Sequence, residues 1–377
     1  MYALSAATEK QQICLFAGNI FSLFVVLTFL DKSVSSWVLT FTYFLSKEIA
    51  MSVVIRSIGA SIPERRMTND ELASTLKIDT SDEWIRSHSG IGSRHIAADG
   101  QRTSDLAVDA AQKALAKAGI TAAEIDYIIV ATATPDYYGF PATACIIQDR
   151  LGAHNAAAFD LTAGCTGFIY ALQTAQGLLE SNQGRNALVL GAETLTRITD
   201  WADRSTCVLF GDGAGAAVLS RIQESGRGIL KGILGAEGSG YKELYLVQSD
   251  RTKTFDREPG TYSNLYMNGQ NVYNFAVKSI SVLVERIFHS SMYSLDELRW
   301  IVPHQANSRI VQAAAKRLRI PAEKFYMNIE EYANTSAATI PIALNEMDEK
   351  GLLKKGDLIM LVGFGAGLTY GATLIRW

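Results

Sequence analysis

Cysteine is scarce in this chain: four residues in 377, at Cys14, Cys145, Cys165 and Cys207. They form no C-x-x-C pair and no His/Cys cluster with zinc spacing, which argues against a disulfide scaffold and a structural metal centre. A reducing compartment is the expected setting. Excess charge of either sign is also missing. A net charge of −3 gives no basic surplus, so general nucleic-acid binding is not expected. Only 7 prolines accompany 30 glycines. With 48% hydrophobic and 19% charged residues, the composition is that of a folded protein of one large or two ordinary domains.

Residues 1–50 differ in kind from the rest of the chain. Ile13 to Leu30 is nearly uninterrupted apolar sequence, broken by Asn19, and a second apolar patch runs from Trp37 to Leu45. The first run is just long enough to cross a bilayer. Lys10 before it fits a signal anchor weakly, and no small-residue cleavage site comes after it. The competing reading is an apolar extension ahead of a natural start at Met51-Ser52-Val53-Val54-Ile55. Membrane association is expected only if the extension is real; otherwise the chain is expected in the cytoplasm.

After Met51, strand-like apolar runs alternate with helical segments, the pattern of an α/β protein with buried sheet. Thr103 to Ala118 reads as a helix stopped by Gly119, and Ile125 to Ala131 as a buried strand. Phe140 to Leu151 reads as a helix with Pro141 in its first turn. Ala187 to Gly191, Ala216 to Leu219 and Tyr370 to Ile375 read as further strands. A faint internal echo joins them. Phe210-Gly211-Asp212-Gly213 and Phe364-Gly365-Ala366-Gly367 each precede a strand. Arg299 to Val302, with the helix Ser308 to Leu318, repeats the order seen from Tyr127 to Leu151. The echo predicts two similar halves, 51–225 and 226–377, with a site at their seam.

The strongest chemical signal is Asp160-Leu161-Thr162-Ala163-Gly164-Cys165-Thr166-Gly167. Small residues leave room around the sulfur, and Phe168, Ile169, Ala171, Leu172 and Ala175 come next at helical spacing. A thiol at a helix start is expected to have its pKa lowered toward the thiolate. Far downstream lie His304, in Val302-Pro303-His304-Gln305-Ala306-Asn307, and Asn334, in Ala333-Asn334-Thr335-Ser336. Each also has a structural reading: a buried small thiol, a core histidine, a capping asparagine. If the three converge, Cys165 can hold an acyl group as a thioester. Water would then complete a hydrolase, with histidine as base and asparagine orienting it. A carbon nucleophile would complete a condensing enzyme, with His304 and Asn334 donating hydrogen bonds to a thioester carbonyl. The glycine-rich Phe210 to Gly215 leads into a strand, the wrong context for a dinucleotide fingerprint.

Together these motifs resemble β-ketoacyl-acyl carrier protein synthase III of the thiolase superfamily, from about Val53 to Trp377. Asp82-Glu83-Trp84-Ile85, Gly211-Asp212-Gly213-Ala214-Gly215 and the Phe364-Gly365-Ala366-Gly367 ending carry the likeness alongside the three site stretches. The resemblance implies an α/β thiolase fold, two βαβαβαββ-type halves in five layers (α-β-α-β-α), and a homodimer. It implies no bound cofactor or metal, with acyl-CoA and malonyl-acyl carrier protein as substrates. An acyl group, acetyl foremost, would pass from CoA to Cys165. Decarboxylation of the malonyl group would then supply the carbanion that attacks it. The backbone N–H groups of Cys165 and Ala366 would form the oxyanion hole.

The resemblance further assigns Trp84 and Arg204 to the adenine of CoA, Asn307 to the pantetheine arm, and Phe140 to the partner's acyl pocket. It assigns Arg309, Lys316 and Arg317 to carrier-protein docking. His88 stands where many members carry arginine against the adenine, and histidine is a poorer phosphate or stacking partner. Two relatives on this fold stay open: a synthase using branched or longer primers, or one making a specialised metabolite. A reading from another class is an inactive thiolase-like scaffold held at a membrane by residues 13–30.

Overall fold

The computed structural model describes residues 51–181, 183–248 and 262–377, with the backbone of two short strands near the N-terminus. The chain divides into two compact units. One comprises residues 1–51 with 223–225, the other 52–222 with 226–377. Within the first, β1 (Ile13–Gly18) and β2 (Ser22–Leu27) pair antiparallel, Ile13 opposite Leu27. The apolar run that is just long enough to cross a bilayer therefore holds two six-residue strands rather than one long helix. Among the described residues no helix is long and apolar enough to cross a membrane. Trp37 to Leu45 lies outside the described residues.

The larger unit begins with β3 (Ser52–Ser61), β4 (Arg65–Thr68), α1 (Asn69–Leu76), α2 (Asp82–Ser89) and β5 (Ser93–Ile96). It continues through α3 (Thr103–Ala118), β6 (Tyr127–Ala131), α4 (Thr143–Leu151), β7 (Ala157–Leu161) and α5 (Gly167–Glu180). Next come β8 (Asn186–Thr194), α6 (Arg204–Cys207), β9 (Asp212–Ile222), β10 (Gly228–Ala236), β11 (Leu244–Gln248) and β12 (Tyr262–Met267). The chain ends through α7 (Gly269–His289), β13 (Leu298–Pro303), α8 (Ser308–Leu318), α9 (Ile329–Tyr332), α10 (Thr339–Glu349), β14 (Leu358–Gly365) and β15 (Thr369–Arg376).

Two sheets organise the body, in the orders β3-β9-β8-β6-β7 and β10-β15-β14-β13. Each mixes parallel and antiparallel pairs in the same sequence. β6 runs parallel to β8 and β13 parallel to β14, and the strands beyond are antiparallel. A parallel bridge from Ile301 to Phe325 stands where β7 flanks β6. The central strands β8 and β14 are buried on both faces, so they are nearly continuous apolar runs that still sort by period two. Along β8, Ala187 and Val189 join the central core, while Leu188, Leu190 and Ala192 face α3 and α4. Along β14, Ile359 and Leu361 join the same central core, while Met360 and Val362 face α7 and α8. Helices α5 and α10 fill the central layer through Phe168, Ile169, Leu172, Ile340 and Leu344. Burying each such side chain is worth about 1.5–3 kcal/mol. The result is the five-layered α-β-α-β-α thiolase fold that the resemblance implied.

Local expectations hold at α3, with Gly119 as its left-handed cap, and at α8, which starts and ends where its pattern does. Two boundaries shift. The helix read from Phe140 begins at Thr143, so Pro141 precedes it. Its first N–H groups, of Thr143 and Ala144, donate to the Asp160 carboxylate at 2.7 and 2.8 Å. That cap comes from β7, out of reach of a local reading. The strand read from Ile125 starts at Tyr127, because Ile125 closes a 3-10 turn over Ala122–Glu124. Gly213 and Gly215 lie in β9 and make room for α10. A Cβ on either would meet Ile342 or Pro341 at 2.9 and 2.6 Å, which is a packing role and not a phosphate-binding one.

Candidate active site

Cys165 sits in a one-turn 3-10 segment, Gly164–Thr166, that runs directly into α5. Gly164 takes φ +51, and a Cβ there would press on Ala366 atoms at 3.1–3.3 Å. Gly365 is as tight from the other side: its Cβ would lie 2.9 Å from the Cys165 nitrogen. Small residues thus bring the Cys165 turn against the loop that joins β14 to β15. Asn334 comes after α9, where Ala333 (φ +56) and Ser336 (φ +48) adopt backbone that side chains rarely accept. Its main chain bridges to Phe210, just ahead of β9: Asn334 N–H donates to the Leu209 carbonyl, and Gly211 N–H donates to the Asn334 carbonyl. His304 comes directly after β13, its N–H donating to the Val362 carbonyl at 2.8 Å.

The three side chains line one cavity of about 220 Å³. Its walls are largely apolar, supplied by Leu195, Ile198, Leu209, Leu246, Leu265 and Val272 among others. Asn334 Oδ1 accepts the Ser336 N–H at 2.8 Å, which commits the oxygen and leaves the Nδ2 amino group as the free donor end. His304 is buried with its ring edge-on to Phe364, centroids 5.2 Å apart, and Nδ1 is 2.7 Å from Thr339 Oγ1. Burial pushes its pKa down to about 3, so the imidazole is neutral.

The expectation of a lowered thiol pKa is overturned. Desolvation pushes the thiol of the half-buried Cys165 up to about 12, with a hydrogen bond to Ser336 pulling the other way and Glu193 adding to the rise. Desolvation is the largest contribution, and it acts against the helix-end effect. Glu193 was missed by sequence reasoning, although a charged residue inside the buried run Leu188 to Thr194 was a visible signal. Fully buried, it accepts from the N–H groups of Ala133 and Thr134 and from the Thr134 hydroxyl at 2.6 Å. Burial nevertheless lifts its pKa to about 7. Thr339 was missed as well.

The other predicted residues fall in three places. Near the cavity mouth, His88 stacks on Trp84 (centroids 4.3 Å, 17° between planes) and the Arg204 guanidinium lies 4.8 Å from the Trp84 ring. Arg204 also donates to the Asp79 carbonyl at 2.6 Å. Asn307 lines the cavity but each end of its amide has a protein partner: Nδ2 donates to the His88 carbonyl, and Oδ1 caps α8 by accepting Arg309 N–H. Arg309, Lys316 and Arg317 are exposed on α8, opposite the buried Ile310, Val311 and Ala314. Phe140 is 90% exposed and, like Cys145 on α4, does not line the cavity in the single chain. Among the described residues there is no cluster that could hold a metal ion.

A thiol, an imidazole and an amide meeting between two matched α/β halves define an acyltransferase of the thiolase fold. Residues 159–238 match the family described as 3-oxoacyl-[acyl-carrier-protein (ACP)] synthase III, and residues 288–377 match its C-terminal family. The beta-ketoacyl-[acyl-carrier-protein] synthase III of Caldanaerobacter subterraneus is 48% identical over 321 residues, 85% of this chain and 96% of the relative. That of Clostridium beijerinckii is 47% identical over 327 residues, 86% of this chain and 99% of the relative. The crystal structure of 3-oxoacyl-[acyl-carrier-protein] synthase III from Aquifex aeolicus superposes with a TM-score of 0.80 at 41% identity, covering 86% of this chain and all of that one. The chain belongs to the β-ketoacyl-acyl carrier protein synthase III family and is a condensing enzyme of fatty-acid biosynthesis.

Proposed function

We propose that this enzyme joins an acyl-CoA primer, acetyl-CoA foremost, to malonyl-acyl carrier protein by a two-stage reaction through Cys165. The observation that carries the reading is the donor end of Asn334. With its oxygen held by Ser336 N–H, its amino group is offered to the cavity that also holds Cys165 and a neutral His304. An imidazole whose pKa is pushed down to about 3 is a poor general base for hydrolysis yet keeps one ring N–H to donate, so with the amide it suits a developing enolate oxygen.

In the first stage the Cys165 sulfur attacks the primer thioester, CoA leaves with the thiol proton, and the backbone N–H groups of Cys165 and Ala366 hold the oxyanion. In the second, the malonyl carboxylate leaves as carbon dioxide. His304 and Asn334 donate to the thioester carbonyl, and the resulting carbanion attacks the Cys165 thioester, breaking its C–S bond to give a 3-oxoacyl carrier protein and a Cys165 thiolate that takes up a solvent proton. The burial that raises the thiol pKa also shields the thioester from water. The adenine of CoA would part Arg204 from Trp84, with His88 already stacked on the same ring. Asn307 would meet the pantetheine arm, and Arg309, Lys316 and Arg317 would steer the acidic carrier protein. Phe140, too exposed for a large apolar side chain of a lone subunit, would reach into a partner subunit of a cytoplasmic homodimer, each subunit built from halves 51–225 and 226–377.

Mass spectrometry of the intact enzyme after incubation with a panel of acyl-CoAs tests the first stage. One acyl addition at Cys165, strongest with acetyl, is expected. His304→Ala and Asn334→Ala should keep that addition and lose release of carbon dioxide from malonyl-acyl carrier protein. Decarboxylation at the unaltered rate in Asn334→Ala would overturn the mechanism.

A further inference from the structure

His304 is held by one ring nitrogen, and that contact bears on where its hydrogen sits. Nδ1 lies 2.7 Å from the hydroxyl oxygen of Thr339, the first residue of α10. The same hydroxyl lies 3.0 Å from the Ser336 carbonyl. One hydroxyl proton thus has two neighbours that can accept it. The Ser336 carbonyl, however, already receives the Thr339 backbone N–H, so it is satisfied without the hydroxyl. Were the hydroxyl given to Ser336 instead, Nδ1 would have to carry the ring hydrogen and donate to Oγ1, and Nε2 would have no hydrogen to offer a substrate oxygen. The contact to Nδ1 is also the shorter of the two. Thr339 is itself buried, and its side chain is set by the helix start.

We propose that Thr339 is a positioning residue that fixes the tautomer of His304: its hydroxyl donates to Nδ1, which leaves the ring hydrogen on Nε2, where it faces the cavity as a donor. A neutral imidazole carries one ring hydrogen, so the choice at Nδ1 decides what Nε2 can do. With the hydrogen on Nδ1, Nε2 could only accept, and Asn334 alone would support the enolate. The inference rests on the reading that His304 donates to the malonyl thioester carbonyl.

The test uses the full chain with Thr339→Val, Thr339→Ser and His304→Ala. It measures Cys165 acylation from acetyl-CoA separately from carbon dioxide release by malonyl-acyl carrier protein. Thr339→Val should lower kcat for decarboxylation by at least about tenfold, with KM and Cys165 acylation unchanged. Thr339→Ser, which keeps the hydroxyl, should restore the rate to within about twofold. Nitrogen-15 NMR of the unaltered enzyme should show His304 Nδ1 without a hydrogen and Nε2 with one. Wild-type decarboxylation in Thr339→Val would overturn the proposal. So would equal damage from valine and serine, or a hydrogen found on Nδ1. His304→Ala separates the layers. If it decarboxylates normally, the role of His304 falls and this inference with it. If it is inactive while Thr339→Val is normal, only the inference about Thr339 falls.

Discussion

The turn before α5 and the turn before α10 occupy matching places in the two halves, yet they do opposite work. Each is a single 3-10 turn running into a central helix, Gly164–Thr166 in one and Ser336–Ala338 in the other. The first presents a thiol; the second comes just after an amide. In the first, glycine takes the left-handed backbone; in the second, Ala333 and Ser336 take it at a cost of order 1–3 kcal/mol each. The nucleophile's turn needs space, because Ala366 presses on it. The Asn334 turn needs a side-chain donor held in one direction, and the strained backbone places Ser336 N–H where it can hold Oδ1. The fold supplies the turn twice, and the chemistry is set by what each turn carries.

The largest effect should come from removing each group in turn. Cys165→Ala should abolish both acylation and condensation, whereas Asn334→Ala should spare acylation and lower decarboxylation, and condensation with it, by about 10²–10³ in kcat. Carbon dioxide assays beside intact-mass measurements distinguish the two. Gly164→Ala comes next. Its methyl would displace Ala366, so acyl transfer from CoA, monitored by stopped-flow release of free thiol, should fall by about 10².

Glu193→Gln should act on stability more than on rate. Its carboxyl titrates near 7 when folded and near 4.5 when free. Between those values the folded state keeps a proton that the unfolded chain has lost, so stability falls as pH rises through that window. The full effect is roughly 3 kcal/mol. Urea denaturation from pH 5 to 7.5 should show this slope in the unaltered protein and lose it in Glu193→Gln. Removing the neighbouring charge should also lower the Cys165 pKa, read as faster iodoacetamide labelling at pH 8. The smallest effect is expected at Ala333→Gly. Relief of the strained backbone is offset by a lost buried methyl and a freer unfolded chain. The net change in stability, read from the denaturation midpoint, should stay within about 1 kcal/mol.

Much of this was legible because it is local. The alternating α/β pattern, the Gly119 cap, the limits of α8 and the strand context of Gly211 to Gly215 rest on periodicity and capping within a few residues. The echoing motifs Phe210-Gly211-Asp212-Gly213 and Phe364-Gly365-Ala366-Gly367 each lead into an antiparallel strand of a different sheet, the first running into β9 and the second closing β14 ahead of β15. The three proposed reactive residues, Cys165, His304 and Asn334, were readable as separated stretches, and one cavity is lined by all three. What escaped was non-local. The start of α4 depends on Asp160 in β7, and the state of the thiol depends on burial that no neighbour in sequence reports. Glu193 and Thr339 gain their meaning from partners 59 and 35 residues away.

By itself the sequence determined the architecture and the family motifs and marked three candidate reactive groups, because backbone periodicity and residue chemistry are written residue by residue. Only the tertiary structure decided their protonation and direction. It raised the thiol, neutralised the imidazole, turned the amide's donor end to the cavity and set a hydroxyl against Nδ1. Solvation and hydrogen-bond partners belong to the packed molecule, where desolvation outweighs the helix-end effect that the local sequence around Cys165 suggests.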